Sequence, residues 1–130
     1  MTIPALLLAA ALFGGMTLFS AGFAPVLFKQ LPEAQVRPLL RGTFPYYYAA
    51  VIALALAATL AALPVSTPAA ILLGSIALTT VYARQILMPR INAASDTGDT
   101  RAFGLRHGGS VVLQLVQIGL AGWAVVLIAA

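Results

Sequence analysis

"FPYYYAAVIALALAATLAALPVSTPAAILLGSIALTTVYARQILMPR", residues 44–90, decides the fold. Two apolar blocks flank "PVSTP", a five-residue turn at 64–68 without a charge. Each block is about 20 residues long, enough to cross a bilayer core of about 30 Å as a helix. The only charges in the stretch are Arg84 and Arg90, both near its end. A turn that carries Pro64 and Pro68 and no charge reads as a tight hairpin between two spans, with Thr67 capping and Pro68 opening the second helix.

The rest of the chain repeats this pattern. Of 130 residues, 62% are hydrophobic and 8% are charged, far too few charges to cover the surface of a soluble domain. The expected architecture is all-α: one integral membrane domain over 1–130, a four-helix up-down bundle with spans at about 3–28, 44–63, 68–88 and 110–130. Thr2 can cap span one, Pro4 fits its first turn, and Pro25 should kink its last turns. The leader Met1-Thr2-Ile3-Pro4 has no positive charge, and the apolar block after it is long for a cleavable signal. Pro89 is expected to limit span three, and the helix of span four should start near Asp99, ahead of the membrane. The loop "NAASDTGDTR" reads as a turn-rich connection.

Lys29, Arg37 and Arg41 lie between spans one and two; Arg90, Arg101 and Arg106 lie between spans three and four, and Arg84 is one turn away. All seven basic residues thus fall at one end. The positive-inside rule makes that end cytoplasmic and puts both termini outside, most simply in a bacterial inner membrane. Glu33, Arg37 and Arg41 recur at helical spacing opposite Val36, Leu39 and Leu40, which predicts a short amphipathic interfacial helix in the first loop, interrupted at Pro38. The two halves share a layout of long span, basic loop and span, but residue identity between them is too thin to establish a duplication.

Intramembrane polar residues should face protein, because lipid tails offer no hydrogen-bond partner. His107, Ser110, Gln114, Gln117 and Ala121 share one face of span four. They read either as inter-helix hydrogen bonds or as one wall of a solute path. In span three, Ser75, Thr79 and Tyr82 share a face, with Arg84 nearly opposite. Arg84 either snorkels to the interface or turns inward onto backbone carbonyls, a tyrosine hydroxyl or Gln114. The only acids, Glu33, Asp96 and Asp99, lie in loops, which argues against a carboxylate proton relay. Tyr46, Tyr47 and Tyr48 sweep about 200° of the helix, so they cannot all join an interfacial belt. Small-residue pairs such as Ala10–Gly14, Ala11–Gly15 and Ala70–Gly74 allow close helix approach. With no cysteine, the chain can form neither disulfides nor thiolate metal sites.

"GMTLFSAGFAPVLFKQLP", "TFPYYY", "ARQILMPRINAA" and "LRHGGSVVLQL" together resemble the family of mammalian transmembrane protein 205. The likeness touches all four spans in order. Gln114 stands where that family often has Asn, and the loop between spans three and four is shorter here. The resemblance implies a four-span membrane protein. It singles out Tyr47 as the inward tyrosine, with Tyr46 and Tyr48 in the belt, and marks Arg84 and His107. The candidate polar cluster is therefore Tyr47, Arg84, His107, Ser110, Gln114 and Gln117, with no catalytic, cofactor or metal residues assigned. The mammalian relative's link to platinum-drug resistance implies export. Platinum prefers sulfur, however, and the spans hold only Met16 and Met88.

Three readings of function remain. The first is a small non-enzymatic membrane protein without cofactor, self-associating or an accessory subunit of a larger membrane complex. The second is an oligomeric small-solute or drug transporter using the polar stripe of span four. The third is a haem- or metal-binding membrane protein using His107. The expected partners are the lipid bilayer and either further copies or a larger complex. Nucleic acid is not expected, because the basic residues are dispersed among loops.

Overall fold

The computed structural model describes residues 2–130; Met1, the start of the uncharged leader, lies outside them. Four helical rods account for nearly all of it: α1 (Thr2–Gln30), α2 (Glu33–Ala62), α3 (Thr67–Thr97) and α4 (Thr100–Ala129). Each is long and apolar enough to cross a membrane, as an integral membrane protein requires. α1 packs on α2 and α4, and α3 packs on the same two, so the rods form an up-down ring in sequence order. All seven basic residues fall toward one end of the bundle, called here the basic end; the chain termini and the 63–66 turn form the other.

The core follows one spacing in every rod. α1 buries Ala5, Ala9, Leu12 and Met16; α2 buries Val51, Ala55, Ala58 and Ala62; α3 buries Ala69, Leu73, Ile76 and Thr80; α4 buries Gln117, Ala121, Ala124 and Ile128. Each set runs i, i+4, i+7, i+11, the narrow seam of knobs-into-holes packing at shallow crossing angles. Alanine dominates the terminal half, so the rods approach closely there. Ala70 is buried in that contact, and Gly74 faces Thr59 across the α2–α3 contact. Gly122 leaves room for the Phe13 ring, which a Cβ would meet at 3.0 Å. Gly14 and Gly15, in contrast, face outward and meet nothing within 4 Å.

α1 and α3 share an irregularity. Each widens by one π turn, Leu18–Phe23 in α1 and Ala83–Leu87 in α3. The backbone N–H of Ala24 reaches Phe19, and that of Met88 reaches Ala83, five residues back in both cases. The cause lies just beyond: Pro25 and Pro89 lack an N–H, and their rings crowd the carbonyl four residues earlier. A wider turn relieves the crowding while the helix continues. Pro25 and Pro89 are 64 positions apart, as are Ala5 and Ala69 at the head of the two core stripes. The backbone layout of the first half is thus repeated in the second, both halves pointing the same way through the bundle.

Several local expectations need correction. Pro89 does not end its helix; the π turn carries the rod on through Met88–Thr97, so much of the expected turn-rich loop is helical. The true break is Gly98, at φ +73°, a left-handed conformation that glycine adopts at low cost. Nor does Pro38 interrupt a separate interfacial helix. Glu33–Ala62 is one continuous rod with Pro38 and Pro45 inside it, and the amphipathic stretch is its first part. The carbonyls these prolines leave free lie near the basic end, where water and headgroups can satisfy them. Ser66, not Thr67, caps α3: its Oγ accepts from the Ala69 N–H, and Thr67 is already helical. α4 starts next to Asp99 as expected, and Asp99 caps it, accepting from the Ala102 N–H at 3.0 Å.

A polar layer and a side cavity at the basic end

Most hydroxyls inside the spans turn back on their own helix. Thr59 donates to the Ala55 carbonyl, Ser75 to Ile71 and Thr80 to Ile76, each one turn earlier. Tyr82 is exposed, so Ser75, Thr79 and Tyr82 do not form a shared inward face. Two glutamines of α4 make the contacts between rods. Gln117 is buried, and its amide donates to Thr79 Oγ1 at 2.7 Å and Thr80 Oγ1 at 3.1 Å, tying α4 to α3. One turn nearer the basic end, the Gln114 amide donates to the Tyr47 hydroxyl at 2.9 Å and to Ser20 Oγ. That bridge joins α1, α2 and α4 across the centre of the bundle. Within a low-dielectric interior, such satisfied contacts fix the register of neighbouring helices.

The tyrosines divide differently from expectation. Tyr46 is exposed at 79%, a belt position. Tyr47 turns in, and its ring stacks on Phe19 with centroids 3.9 Å apart. Tyr48, expected in the belt, is the most enclosed of the three, only 8% exposed. It packs beside Phe44 at 5.5 Å. The rotation of α2 needed to seat Val51 and Ala55 in the core carries Tyr48 inward as well, since the three lie within two turns on one face.

The six residues of the candidate cluster do not form one network. Tyr47 and Gln114 meet directly, and Gln117 forms its own layer. Arg84 sits in the π turn of α3, where its Nε donates to the Pro45 carbonyl of α2 at 3.1 Å and its Nη1 to Gln85 Oε1 at 2.8 Å. It therefore takes the backbone-carbonyl option, away from Gln114. Ser110 donates to the His107 carbonyl at 2.7 Å, and the imidazole stacks on Phe103 with centroids 5.4 Å apart. Ser20 is the partner that sequence reasoning missed. It stands 64 positions before Arg84, so the two π turns place a polar side chain at the same point of the repeat.

Toward the basic end the rods part around a cavity of about 340 Å³. Its lining includes Phe19, Phe28, Phe44 and Tyr48 from α1 and α2 and Asn92, His107, Ser110 and Gln114 from α3 and α4. Met88, the sulfur that could join His107 on a metal, lines the same space, whereas Met16 is sealed in the core. One flank is closed by an ion pair: Arg41 of α2 donates to both carboxylate oxygens of Asp96 of α3, at 2.6 and 2.9 Å. The pair lies beyond the apolar stretches, and the hydrogen bond from Arg41 holds the Asp96 carboxyl below its usual range. A carboxylate with a depressed folded-state pKa stabilises above its unfolded value and loses that effect as pH falls through the folded one. Asp96→Asn should therefore weaken the bundle slightly at neutral pH in low salt. The difference from the parent should vanish at acid pH, and also near 1 M salt, where the screening length is about 3 Å. Thermal unfolding across pH and salt checks this.

No curated protein and no solved structure matches the chain. Residues 7–100 match the family described as a domain of unknown function (DUF4149). That stretch runs from the first core stripe through both π turns and the Arg41–Asp96 pair to the start of α4, and the chain belongs to that family.

Proposed function

We propose that this protein is a non-enzymatic integral membrane protein that assembles with further copies of itself or with a larger membrane complex, and that it is not a conduit for solutes. The observation that carries this reading is where polar groups stop. Gln117 with Thr79 and Thr80 is the last polar layer of the core; beyond it toward the termini the buried side chains are alanine, leucine and isoleucine. A polar solute following the α4 stripe would meet a dry, closely packed plug, where it would have to shed its hydration without compensation. Self-association is supported by Ala10, Ala11, Gly14 and Gly15, a small-residue face of α1 that lies exposed, with nothing within 4 Å of where a Cβ on either glycine would stand. The basic end is assigned to the cytoplasm of a bacterial inner membrane, with both termini outside. The four motifs quoted above are what supports a relationship to the transmembrane protein 205-like proteins.

Native mass spectrometry of protein gently extracted from its own membranes tests assembly. A mass matching several copies, or a stoichiometric second chain, is the expected result. Proteoliposomes test the plug. They should show no flux of small polar solutes above empty vesicles. A flux that Gln117→Leu abolishes would overturn the reading and restore the transporter.

A further inference from the structure

Tyr48 has a hydroxyl that the fold does not use. Its ring packs beside Phe44 and Tyr47, with centroids at 5.5 and 5.7 Å, and the residue is only 8% exposed. The hydroxyl nevertheless makes no hydrogen bond to any described residue. No fully sealed side-chain oxygen or nitrogen among the described residues lacks a partner, so the little surface that Tyr48 keeps includes this oxygen. Tyr48 lines the cavity at the basic end, which is where that surface opens. An unpaired hydroxyl held out of water costs free energy that an occupant with a matching group would recover. Two other polar groups of the lining can only accept. Gln114 has spent its amide hydrogens on Tyr47 and Ser20, and Ser110 has given its hydrogen to the His107 carbonyl, so both have only oxygen lone pairs left. Arg41 is the one guanidinium in the lining; Asp96 neutralises it, and no carboxylate lines the cavity. Most of the remaining lining is apolar, with three phenylalanine rings among it.

We propose that this cavity binds a neutral hydroxylated aromatic molecule, its ring among Phe19, Phe28 and Phe44 and its hydroxyl at Tyr48 and Gln114. A hydroxyl accepts and donates at once, so it can take the Tyr48 hydrogen and give its own to the Gln114 carbonyl. An anion only accepts, and it would meet that carbonyl oxygen with like partial charge. A cation would find no carboxylate. Aromatic rings suit the rest of the lining, because ring–ring contacts add to the burial of apolar area. Water fills such a space poorly: a held water needs two to four polar partners, and the aromatic part offers none. Loosely held water displaced by an apolar group gains affinity. At about 340 Å³ the cavity lies at the low end of ligand-sized spaces, about 300–1,000 Å³, so it takes one small ring system and not a whole lipid. Binding here requires no flux and leaves the dry plug beyond Gln117 intact.

The test is thermal unfolding of the purified full-length protein in micelles at neutral pH, titrated with 2-naphthol. A ligand that binds only the folded state raises Tm with the logarithm of its concentration once the site is occupied. Two analogues isolate the chemistry: 2-methoxynaphthalene keeps the shape without the O–H, and 2-naphthoate replaces the hydroxyl by an anion. The methyl ether should bind about tenfold more weakly than the alcohol, and the carboxylate should give no shift. Tyr48→Phe deletes only an unbonded hydroxyl, so it should fold like the parent and bind 2-naphthol about tenfold more weakly, or about 1.4 kcal/mol. Ser110→Phe fills the cavity and should abolish the shift, whereas Arg101→Gln, outside the lining, should shift like the parent. No shift with 2-naphthol would sink the proposal. Equal shifts from the alcohol and its ether would make the cavity a filler of apolar matter, and a shift that survives both Tyr48→Phe and Ser110→Phe would place the effect in the micelle; either overturns it. Tighter binding of 2-naphthoate would mean an anion site and overturn it too. These results are independent of the oligomer and flux measurements above.

Discussion

Replacing Ala58 with leucine is expected to cost about 3 kcal/mol, at the upper end of overpacking penalties. Ala58 has no exposed surface, and its surroundings in the terminal half of the core include Ala5, Ala9, Ala55, Ala121 and Ala124. In a membrane the apolar side chains gain little by leaving lipid for protein, since both are hydrocarbon. What holds the rods together is close van der Waals contact, and small residues permit it. Three added carbons at Ala58 must push one rod outward, and that opens every contact along it. Unfolding in mixed detergent, followed by circular dichroism, measures the loss. Leu60→Ala on the same rod supplies the contrast: Leu60 is 68% exposed, facing outward, and its truncation should change stability by less than about 0.5 kcal/mol. Equal effects at the two sites would mean that the alanine seam is not the source of stability.

The same physics explains how much could be read without coordinates. Four spans, their order and the gathering of charge at one end follow from block length and from the cost of placing arginine in hydrocarbon. The start of α4 near Asp99 was legible because a short polar residue ahead of a long helical run marks where such a run begins. The prolines were not. Local sterics say that Pro38, Pro45 and Pro89 should interrupt helices, but a π turn or a solvated carbonyl lets each rod continue, and no single residue signals which will happen. Tyr48 was misplaced because three adjacent side chains reveal the sweep of a helix and not its rotation about its axis. That rotation is set by the alanine seam several residues later. Ser20 gave the weakest signal, one hydroxyl in an apolar span, and only the third dimension brings Gln114 to it. The repeat would have helped. Aligning the two prolines puts Ser20 at the position of Arg84, a hint that both π turns carry a polar side chain inward.

Gln114→Leu should remove about 1–2 kcal/mol, since hydrogen bonds between membrane helices average about 0.6 and reach about 1.7 kcal/mol each. Leucine nearly matches the volume of glutamine, so the change tests the amide more than the packing. Gln114 donates to Tyr47 and Ser20 on two other rods, and its loss releases both at once. The measurement is a double-mutant cycle. Tyr47→Phe keeps the ring stacked on Phe19 and deletes only the hydroxyl. If the amide bridges the rods, Gln114→Leu with Tyr47→Phe should cost less than the sum of the two single changes. Gln114→Asn separates reach from chemistry: the amide is kept one carbon shorter, too short to span both partners, so about half of the leucine penalty is expected. Additive single changes, or an asparagine variant as stable as the parent, would show that the bridge contributes nothing and that at this level α1 and α2 are held by the aromatic stack of Phe19, Phe44 and Tyr47 alone.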